Sequence, residues 1–411
     1  MESYKYDAFN EQEEEILKEE ILKEDKVVVD TSNLLDEYKL ETFESLDIDA
    51  QYLRGIYSCG FEQPSAIQKL SILPIVKGRD VIAQAQSGTG KTASFCIGGL
   101  SRVDTDVEYT QLLILSPTRE LAIQTSSVIS NIATFKTNLR IKTVIGGNLV
   151  QDDIADLKAN HYHVIVGCPG RVTDIIQRKA FDALEIKTII LDEADEMLNS
   201  GFQEQICKLF KFLNAEVQVV LFSATMPRET IAITKNFMRN PYIISVEKDK
   251  LSLDGIEQQF IALETDNDKY ETLTALFKKI DISQCIIYAN SVDRVKQLTT
   301  ILSRDGFSVS EMHSELSRHD REACIRNFKA GQFRILISTD LTARGIDVQQ
   351  VSLVINFDIP RDENIYLHRI GRSGRWGRKG QAINLVGRRD IYIMEKIEKH
   401  YQRTITEYYF K

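Results

Sequence analysis

The segment Ala85–Thr92 reads Ala-Gln-Ser-Gly-Thr-Gly-Lys-Thr and combines two glycines, a lysine and hydroxyl side chains. It follows the apolar run Val81–Ala83 and precedes a helical pattern, the context that a phosphate-binding loop requires. Backbone N–H groups would surround phosphate oxygens, the Lys91 ammonium would reach the β- and γ-phosphates, and the Thr92 hydroxyl would ligate Mg²⁺. The alternative is a glycine-containing turn with a surface lysine. The predicted nucleotide contacts in this loop are Ser87, Gly88, Thr89, Gly90, Lys91 and Thr92.

Carboxylates follow a second apolar run, Thr188–Leu191, where the sequence reads Asp-Glu-Ala-Asp. Asp192, at a strand end beside a phosphate loop, is placed to hold Mg²⁺. Glu193 could orient and deprotonate an attacking water molecule. Four-residue acidic turns are common and usually only solvated. The interpretation of this one as a metal and catalytic site depends on the predicted strand before it and on the phosphate loop upstream. Lys91, Asp192 and Glu193 are therefore candidate catalytic residues.

Four arginines fall within the ten residues Arg369–Arg378. A basic surface loop is the simplest explanation of such a cluster. The preceding His368 and the apolar run that follows, Ala382–Val386, favour an interface instead. Arginine in that setting could neutralise charge that builds up during phosphoryl transfer.

Short apolar runs alternate with helical patterns along most of the chain, which predicts βαβ units and an α/β fold. The runs are nearly continuous in Val, Ile and Leu, as is typical of parallel strands buried on both faces. The predicted strands are Val81–Ala83, Leu112–Leu115, Val144–Ile145, Val164–Val166, Thr188–Leu191 and Val219–Phe222, then Ile286–Ala289, Val309–Met312, Ile335–Ser338, Leu353–Asn356 and Ala382–Val386.

A charged stretch without sheet periodicity separates the two sets of strands and predicts a linker at residues 247–256. The predicted organisation is an acidic N-terminal tail at 1–41, one parallel-sheet domain at 42–246, this short linker, and a second domain at 257–411. Ligands of open parallel sheets bind beyond the carboxyl ends of the strands. The phosphate loop and the acidic pair both lie at such ends.

The charge of the chain is unevenly distributed. The formal net charge is −9, and residues 1–25 hold ten acidic residues against three lysines, a net charge of −7. The remaining 386 residues carry only −2, so the body could still line one cleft with Arg and Lys. A solvated, partly disordered tail is the simpler interpretation of the acidic segment, and a regulatory tail that competes with the ligand of that cleft is the more specific one.

Other features narrow the class of protein. No apolar run reaches the length of a membrane span, and the first ten residues are polar, so we expect a cytosolic or nuclear protein without membrane contact. The six cysteines form no Cys-x-x-Cys pair, which argues against a zinc site.

The motif Asp192–Asp195, in order with its neighbours, resembles the DEAD-box RNA helicases. The segment Gly60–Gln68, which reads Gly-Phe-Glu-Gln-Pro-Ser-Ala-Ile-Gln, is similar to the Q motif of that family. The Gln68 amide could pair with adenine N6 and N7, which would select ATP, and Phe61 offers a stacking face with Phe43 as the upstream aromatic. The resemblance implies two RecA-like domains in tandem, with ATP and Mg²⁺ as cofactors.

The resemblance also implies roles for residues in both domains. Arg372 and Arg375 match arginine fingers, and Asp347 matches a ribose contact. Asp195, Ser223, Thr225 and His368 match positions that couple nucleotide state to domain closure, although Ser223-Ala224-Thr225 alone could be a helix cap. The RNA contacts so implied are Pro117, Thr118, Arg119, Gly147, Gly170, Arg171, Asn290 and Thr339. Cys168 and Arg318 depart from the family pattern, which usually has Thr and Gln there.

Within the family, Ser352–Asp358 and Leu53–Tyr57 look like the translation initiation factor four-A group. That resemblance implies an enzyme that unwinds short mRNA duplexes with little sequence preference, as a monomeric core working with an initiation scaffold protein. The alternatives are an ATP-gated RNA clamp of the exon-junction type, a helicase of mRNA or rRNA processing, and an unrelated P-loop ATPase. The motifs after Asp195 count against the last.

Overall fold

Two parallel β-sheets flanked by helices organise the chain in the computed structural model, which describes residues 40–85, 88–147, 149–198, 201–245, 256–279, 283–340, 351–373 and 380–409. We call residues 40–245 the first lobe and residues 256–409 the second lobe. The predicted α/β class, with two RecA-like parallel-sheet domains in tandem, is confirmed.

The first sheet has seven parallel strands in the order β3-β4-β2-β5-β6-β1-β7. Its strands are β1 Val81–Gln84, β2 Leu112–Leu115, β3 Ile141–Val144, β4 Val164–Gly167, β5 Thr188–Asp192, β6 Gln218–Ser223 and β7 Tyr242–Ser245. The order places β1 beside β6 and β6 beside β5. The loops that follow β1 and β5 therefore meet at one edge of the sheet, although the ends of these strands, Gln84 and Asp192, are 108 positions apart in sequence.

Helices cover both faces of this sheet, because successive side chains of a strand point to opposite sides. On β2, Leu112 and Ile114 join one core cluster, whereas Leu113 and Leu115 join the other. All four side chains are fully buried, and burial of such a side chain stabilises by about 1.5–3 kcal/mol. The first-lobe helices are Ala50–Ser58, Ala66–Val76, Lys91–Leu100, Arg119–Ile132, Val150–Ala159, Pro169–Gln177, Ala194–Met197, Gln203–Phe210 and Arg228–Thr234, with a 3₁₀ turn at Phe43–Ser45.

The second sheet repeats the design, with seven parallel strands in the order β10-β11-β9-β12-β13-β8-β14. Its strands are β8 Ile256–Leu263, β9 Cys285–Tyr288, β10 Val309–Met312, β11 Ile335–Ser338, β12 Leu353–Asn356, β13 Gly380–Gly387 and β14 Thr406–Glu407. The second-lobe helices are Asp268–Lys279, Val292–Arg304, Arg318–Lys329, Glu363–Ile370 and Ile391–Tyr401. Among the described residues, no helix has both the length and the hydrophobicity that a membrane crossing needs.

The strands that the apolar pattern misplaced or missed lie at or near the sheet edges. β3 spans Ile141–Val144 rather than the predicted Val144–Ile145, and its first three residues are only partly buried. β7, β8 and β14 were not predicted, and β8 carries two glutamines in a largely half-exposed pattern. An edge strand is covered on fewer sides than a central one, so its sequence needs fewer apolar residues and gives a weaker signal.

Candidate active site

The phosphate loop leaves β1 in a conformation that favours glycine. Gly88 and Gly90 have φ angles of +84° and +100°, in the left-handed region that a side chain disfavours. At Gly90 an added Cβ would also lie 2.7 Å from Gln68 Nε2. Lys91 begins the helix Lys91–Leu100 and is only 6% exposed, and Thr92 follows it, half buried. The turn therefore aims the first N–H groups of a helix and a lysine at one point.

The segment that resembles a Q motif contacts this loop through side-chain hydrogen bonds. Ser65 Oγ donates to the carbonyl oxygen of Thr89 at 2.8 Å, and Gln68 Nε2 approaches the carbonyl oxygen of Gly90 at 3.4 Å. Gln68 Oε1 accepts from the Ser65 N–H at 2.7 Å. Phe61 is half buried, whereas Phe43 is fully buried in the core. The Phe43 ring thus has no face open to a ligand in this structure, and it supports the segment from the core.

Asp192 and Glu193 lie at the carboxyl end of β5, two strands from the phosphate loop. Glu193 has a φ of +54°, a left-handed conformation rare for a residue with a side chain. That turn brings Glu193 Oε2 within 3.8 Å of Lys91 Nζ. Among the described residues, neither of these buried atoms has a hydrogen-bond partner. A strained turn and two unsatisfied buried groups at one point are typical of a site that receives a ligand.

The environment of the acidic pair shifts the pKa values of its two carboxyl groups in opposite directions. Burial, and then the Glu193 charge, raise the pKa of Asp192 to about 7. Burial would also raise the pKa of Glu193, but Lys91 and His368 lower it overall. A metal ion at Asp192 would favour its ionised form, and Glu193 remains the stronger candidate for an anionic group next to the lysine.

Asp195 joins the two lobes. Its carboxylate accepts a hydrogen bond from Thr225 Oγ1, and His368 Nε2 of the second lobe lies 3.4 Å from the same oxygen. Burial would raise the pKa of Asp195, but the hydrogen bond and charge of His368 lower it, with help from Ser223 and Thr225. The four residues predicted to couple the lobes are therefore in one place.

Two sets of residues here have the chemistry of metal ligands. The Thr92 hydroxyl and the Asp192 carboxylate supply the oxygen ligands that Mg²⁺ prefers. Glu193, Asp195 and His368 form a second group, whose ligand atoms all lie within 4.8 Å of one another. The His368 ring is already placed against Asp195, so we assign this second group to the contact between the lobes.

Arg372 brings a second-lobe charge toward the same site. It is 4% exposed, its Nε donates to the carbonyl oxygen of His368 at 3.1 Å, and its charge contributes to the lowered pKa of Glu193. Ser87, Asp347 and Arg375, which were also predicted to contact nucleotide, lie outside the described residues. So does most of the predicted linker and almost all of the predicted tail.

The first-lobe residues predicted to contact RNA gather at the other half of the same sheet edge, after β2, β3 and β4. Thr118 caps the helix Arg119–Ile132 by accepting from the Leu121 N–H at 3.3 Å. Pro117 before it is buried, and the Arg119 guanidinium lies against Gly146. Gly147 is exposed, with a φ of +104°. The β3-β4-β2 order thus separates the RNA candidates from the nucleotide candidates at β5-β6-β1.

The turn after β4 shows how two of these candidates are held. Gly170 is exposed at the start of the helix Pro169–Gln177, while Arg171 is paired with Asp153 at 2.7 Å. Cys168 caps this helix without a side-chain hydrogen bond. Burial raises the pKa of the Cys168 thiol to about 12, so it is a neutral, weak donor there.

In the second lobe, Asn290 follows β9 and Thr339 follows β11, which are adjacent strands. Asn290 is exposed, yet its side chain donates to the carbonyl oxygen of Ile359 at 3.0 Å and accepts from Arg369 at 2.7 Å. Thr339 is half buried beside Asp340. The side chain of Arg318, a departure from the family pattern, is not among those described.

Sequence reasoning missed a second contact between the lobes. Glu120, next to the predicted RNA contact Arg119, pairs with Arg321 of the second lobe at 3.4 Å, and both side chains are mostly buried. Neither residue stood out in the sequence, because a carboxylate and a guanidinium on two surface helices give no local signal of pairing.

Models of known families match both lobes. The DEAD/DEAH box helicase model matches residues 65–233, and the helicase conserved C-terminal domain model matches residues 268–377. The chain is 50% identical over 366 residues to the ATP-dependent RNA helicase eIF4A of Debaryomyces hansenii, across 89% of this chain and 92% of that protein. The chain therefore belongs to the DEAD-box family of ATP-dependent RNA helicases, in the group of the initiation factor eIF4A.

Solved structures match the chain over both lobes. S. cerevisiae Dbp5 bound to RNA and ADP BeF3 has a TM-score of 0.84 at 34% identity, covering 90% of this chain and 96% of that chain. A Dbp5 variant bound to Nup159, Gle1, IP6 and ADP has a TM-score of 0.63 at 33% identity, covering 88% and 95%.

Proposed function

We propose that this RNA helicase hydrolyses ATP in the cleft between its lobes and uses lobe closure to separate short RNA duplexes during translation initiation. The observation that carries the proposal is the contact of Asp195 with His368, which brings second-lobe residues to the phosphate loop. The chain also superposes better on Dbp5 bound to RNA and ADP BeF3, with a TM-score of 0.84, than on the Dbp5 variant bound to Nup159, Gle1, IP6 and ADP, with a TM-score of 0.63, which supports the same view.

The unsatisfied atoms of Lys91 and Glu193 fit an ATP γ-phosphate and its attacking water. Lys91 Nζ would donate to phosphate oxygens, in place of the partner that the protein does not supply. Glu193, held ionised by Lys91 and His368, would accept the proton of the water. Gln68, Phe61 and the rest of the Q-like segment would bind the adenine and at the same time hold the phosphate loop in position.

Mg²⁺, when bound, supplies positive charge that neutralises phosphate oxygens. The Thr92 hydroxyl and the Asp192 carboxylate would hold it. Arg372, together with Arg375, would neutralise the charge that develops as the γ-phosphate leaves, an effect confined to the closed arrangement. Hydrolysis then requires both lobes, since Lys91 and Glu193 are on one and the arginines on the other.

RNA would bind across the strand ends of both lobes, through Thr118, Arg119, Gly147, Gly170 and Arg171 of the first and Asn290 and Thr339 of the second. These contacts would go to phosphates and sugars, so we expect little sequence preference. A bound strand that spans both lobes favours closure only through its higher affinity for the closed state. A strand that is still paired with its complement would fit this site less well than a single strand. Closure of the lobes on one strand would therefore release the other.

The group to which the chain belongs supports a cellular setting in translation initiation. We place the protein in the cytoplasm, as a monomeric core at residues 42–246 and 257–411 that works with a scaffold protein of translation initiation. Recovery of a cap-complex scaffold with the protein would support this setting. Recovery of splicing-linked proteins instead would favour the clamp function.

Substitution of Glu193 by Gln tests the mechanism directly. The Glu193→Gln variant should bind ATP and RNA but hydrolyse ATP about 10²–10⁴-fold more slowly, because an amide cannot accept the proton. Its complex with RNA in saturating ATP should outlive that of the parent, measured by fluorescence anisotropy after addition of unlabelled RNA. Glu196→Gln makes the same chemical change three residues later and should retain the parent rate. Parent-like hydrolysis by Glu193→Gln would remove Glu193 as the base.

A further inference from the structure

Five charged residues at the carboxyl edge of the second sheet form a network around the ammonium group of Lys269. The Lys269 side chain is only 3% exposed, and its Nζ lies within 3.5 Å of carboxylate oxygens of Asp266, Asp358 and Asp390. Arg294 joins the network through Asp266 and Asp358. A buried cation needs compensating charge, but this network holds three carboxylates for two cations. One carboxylate is therefore available for a further task.

Asp358 is the member of the network that also contacts a loop predicted to bind RNA. Its side chain is 13% exposed, and its Oδ1 accepts from Arg294 Nη2 at 3.1 Å and faces Lys269 Nζ at 3.5 Å. Its Oδ2 accepts from the backbone N–H of Asn290 at 3.1 Å, with Arg294 Nε at 3.4 Å. One carboxylate thus joins the two cations to the loop after β9.

The residue after Asp358 contacts the same loop a second time. Asn290 Nδ2 donates to the carbonyl oxygen of Ile359 at 3.0 Å. The strands that lead to these residues, β9 and β12, are adjacent and parallel, and the Asp358 N–H donates to the carbonyl oxygen of Tyr288 at 3.2 Å. Asn290 nevertheless remains exposed. These contacts therefore fix the orientation of Asn290 and leave its surface open to a ligand.

The carboxylate of Asp358 is itself fixed by its partners. The Arg294 guanidinium and the Lys269 ammonium lie 5.4 Å and 5.8 Å from the centroid of the Phe357 ring, within the range of cation–π contacts. Burial would lower the pKa of Arg294, but its bonds to Asp358 and Asp266 raise it overall. Such charge-assisted hydrogen bonds are stronger than neutral ones. The network therefore preorganises the oxygen that accepts from the loop after β9.

We propose that Asp358 is a positioning residue for RNA binding, which holds the backbone of Asn290 in the orientation that contacts an RNA phosphate or sugar. The inference rests on the proposed function, since it presumes that Asn290 contacts RNA. Lys269 and Arg294 act through Asp358, because they fix its carboxylate. A loop that is already in the binding orientation loses less conformational freedom when RNA binds, and this increases affinity.

The test measures affinity for a labelled single-stranded RNA by fluorescence anisotropy, in the presence of a non-hydrolysable ATP analogue. Asp358→Asn keeps the shape of the side chain but replaces one acceptor oxygen by an NH₂ group. Whichever way the amide turns, this NH₂ group faces another donor, either the Asn290 N–H or the Arg294 guanidinium. RNA affinity should fall by about tenfold or more, as expected when a hydrogen bond to a charged group is lost.

Asp390→Asn is the matched control, because it makes the same chemical change on another carboxylate of the network. Asp390 Oδ2 lies 3.2 Å from Lys269 Nζ and accepts from the Gly387 N–H rather than from the loop after β9. Both variants should melt at a lower temperature than the parent, since the buried ammonium loses negative charge. Only Asp358→Asn should lose RNA affinity. A loss of affinity that follows the loss of melting temperature in both variants would overturn the proposal, because it would indicate a purely structural role.

The variant Asn290→Ala separates this inference from the function on which it rests. Parent-like RNA affinity in Asn290→Ala removes the second-lobe contact that the proposed function assigns to this residue. A loss of affinity in Asn290→Ala without a loss in Asp358→Asn refutes only the role of Asp358.

A double-mutant cycle shows whether Asp358 acts through Asn290. Asp358→Asn should lower RNA affinity much less in the Asn290→Ala background than in the parent, whereas fully additive losses would contradict the proposal. If Asp358→Asn does not fold, Arg294→Lys keeps the positive charge but not the planar, two-point contact with the Asp358 carboxylate. Parent-like RNA affinity in that variant sinks the proposal.

Discussion

Buried charged side chains at the carboxyl edges of the two sheets differ in whether their polar atoms have hydrogen-bond partners. In the first lobe, Lys91 and Glu193 face each other at 3.8 Å with atoms that lack hydrogen-bond partners among the described residues. In the second lobe, Arg369 is at least as deeply buried, and each of its N–H groups is bonded. Unsatisfied buried groups cost about 1–3 kcal/mol each, and more when charged.

The difference indicates two tasks for one fold. Groups that are left unsatisfied are free to bind a phosphate and a water molecule, so the first lobe gives up stability for reactivity. Groups that are fully bonded cannot take a ligand, but they fix geometry, so the second lobe presents His368 and Arg372 in a set position. The same architecture thus supplies a reactive edge and a rigid edge.

The largest effect should come from the reactive edge. Lys91→Ala removes the cation that the phosphates would pair with, so ATP turnover should fall by at least about 100-fold, in a steady-state ATPase assay with saturating RNA. Because the buried Glu193 carboxylate loses its nearest positive charge, the melting temperature of the first lobe should fall, so turnover is compared at a temperature at which the variant is folded. Near-normal turnover would contradict the assignment of Lys91 as the cation that binds the ATP phosphates, and with it the view of the first lobe as the reactive edge.

The next largest effect should come from the arginine that the rigid edge presents. Arg372→Ala should lower RNA-stimulated turnover by roughly 10–1000-fold and change ATP affinity much less, since its contact forms mainly in the closed, reacting state. Separate measurement of kcat and of nucleotide Kd decides the point. Lost affinity with an unchanged kcat would make Arg372 a ground-state ligand instead.

A smaller effect is expected at the second contact between the lobes. The Glu120–Arg321 pair lies away from the ATP site, and its mostly buried side chains still reach solvent, with 13% of Glu120 and 17% of Arg321 exposed. Its contribution to closure should therefore be about 1 kcal/mol, or about fivefold in RNA affinity with an ATP analogue. Glu120→Gln and Arg321→Gln should be non-additive in a double-mutant cycle. Additive losses would mean that the pair does not act as a unit.

The smallest effect concerns the tail. Removal of residues 1–25 deletes a net charge of −7, which should raise RNA affinity at low ionic strength, where the Debye length is about 30 Å, and hardly at all near physiological salt. RNA titrations at two salt concentrations test this. Equal RNA affinity of the full and shortened chains at low salt would contradict the hypothesis that the tail competes with RNA.

Much of the fold could be read from the sequence, because buried parallel strands require continuous apolar runs. Leu112–Leu115 and Ile335–Ser338 were predicted with the bounds that the structure gives. Edge strands such as Ile141–Val144 were misplaced, since partial exposure permits lysine and threonine in them. The phosphate loop and the acidic pair were also evident, because their chemistry fixes both residue types and spacing within a few positions.

The sequence by itself determined which residues carry the chemistry, and the tertiary structure decided which of them meet. The strand order β5-β6-β1 brings Glu193 to Lys91, a pairing between residues 102 positions apart that no local pattern encodes. Arg369 shows the same limit from the other side: within a basic cluster it looks like its neighbours, and only burial against Asp340 and Asn290 separates it from Arg372. Local residue types follow from local chemistry, whereas long-range partners depend on how the sheets order their strands and on how the two lobes come together.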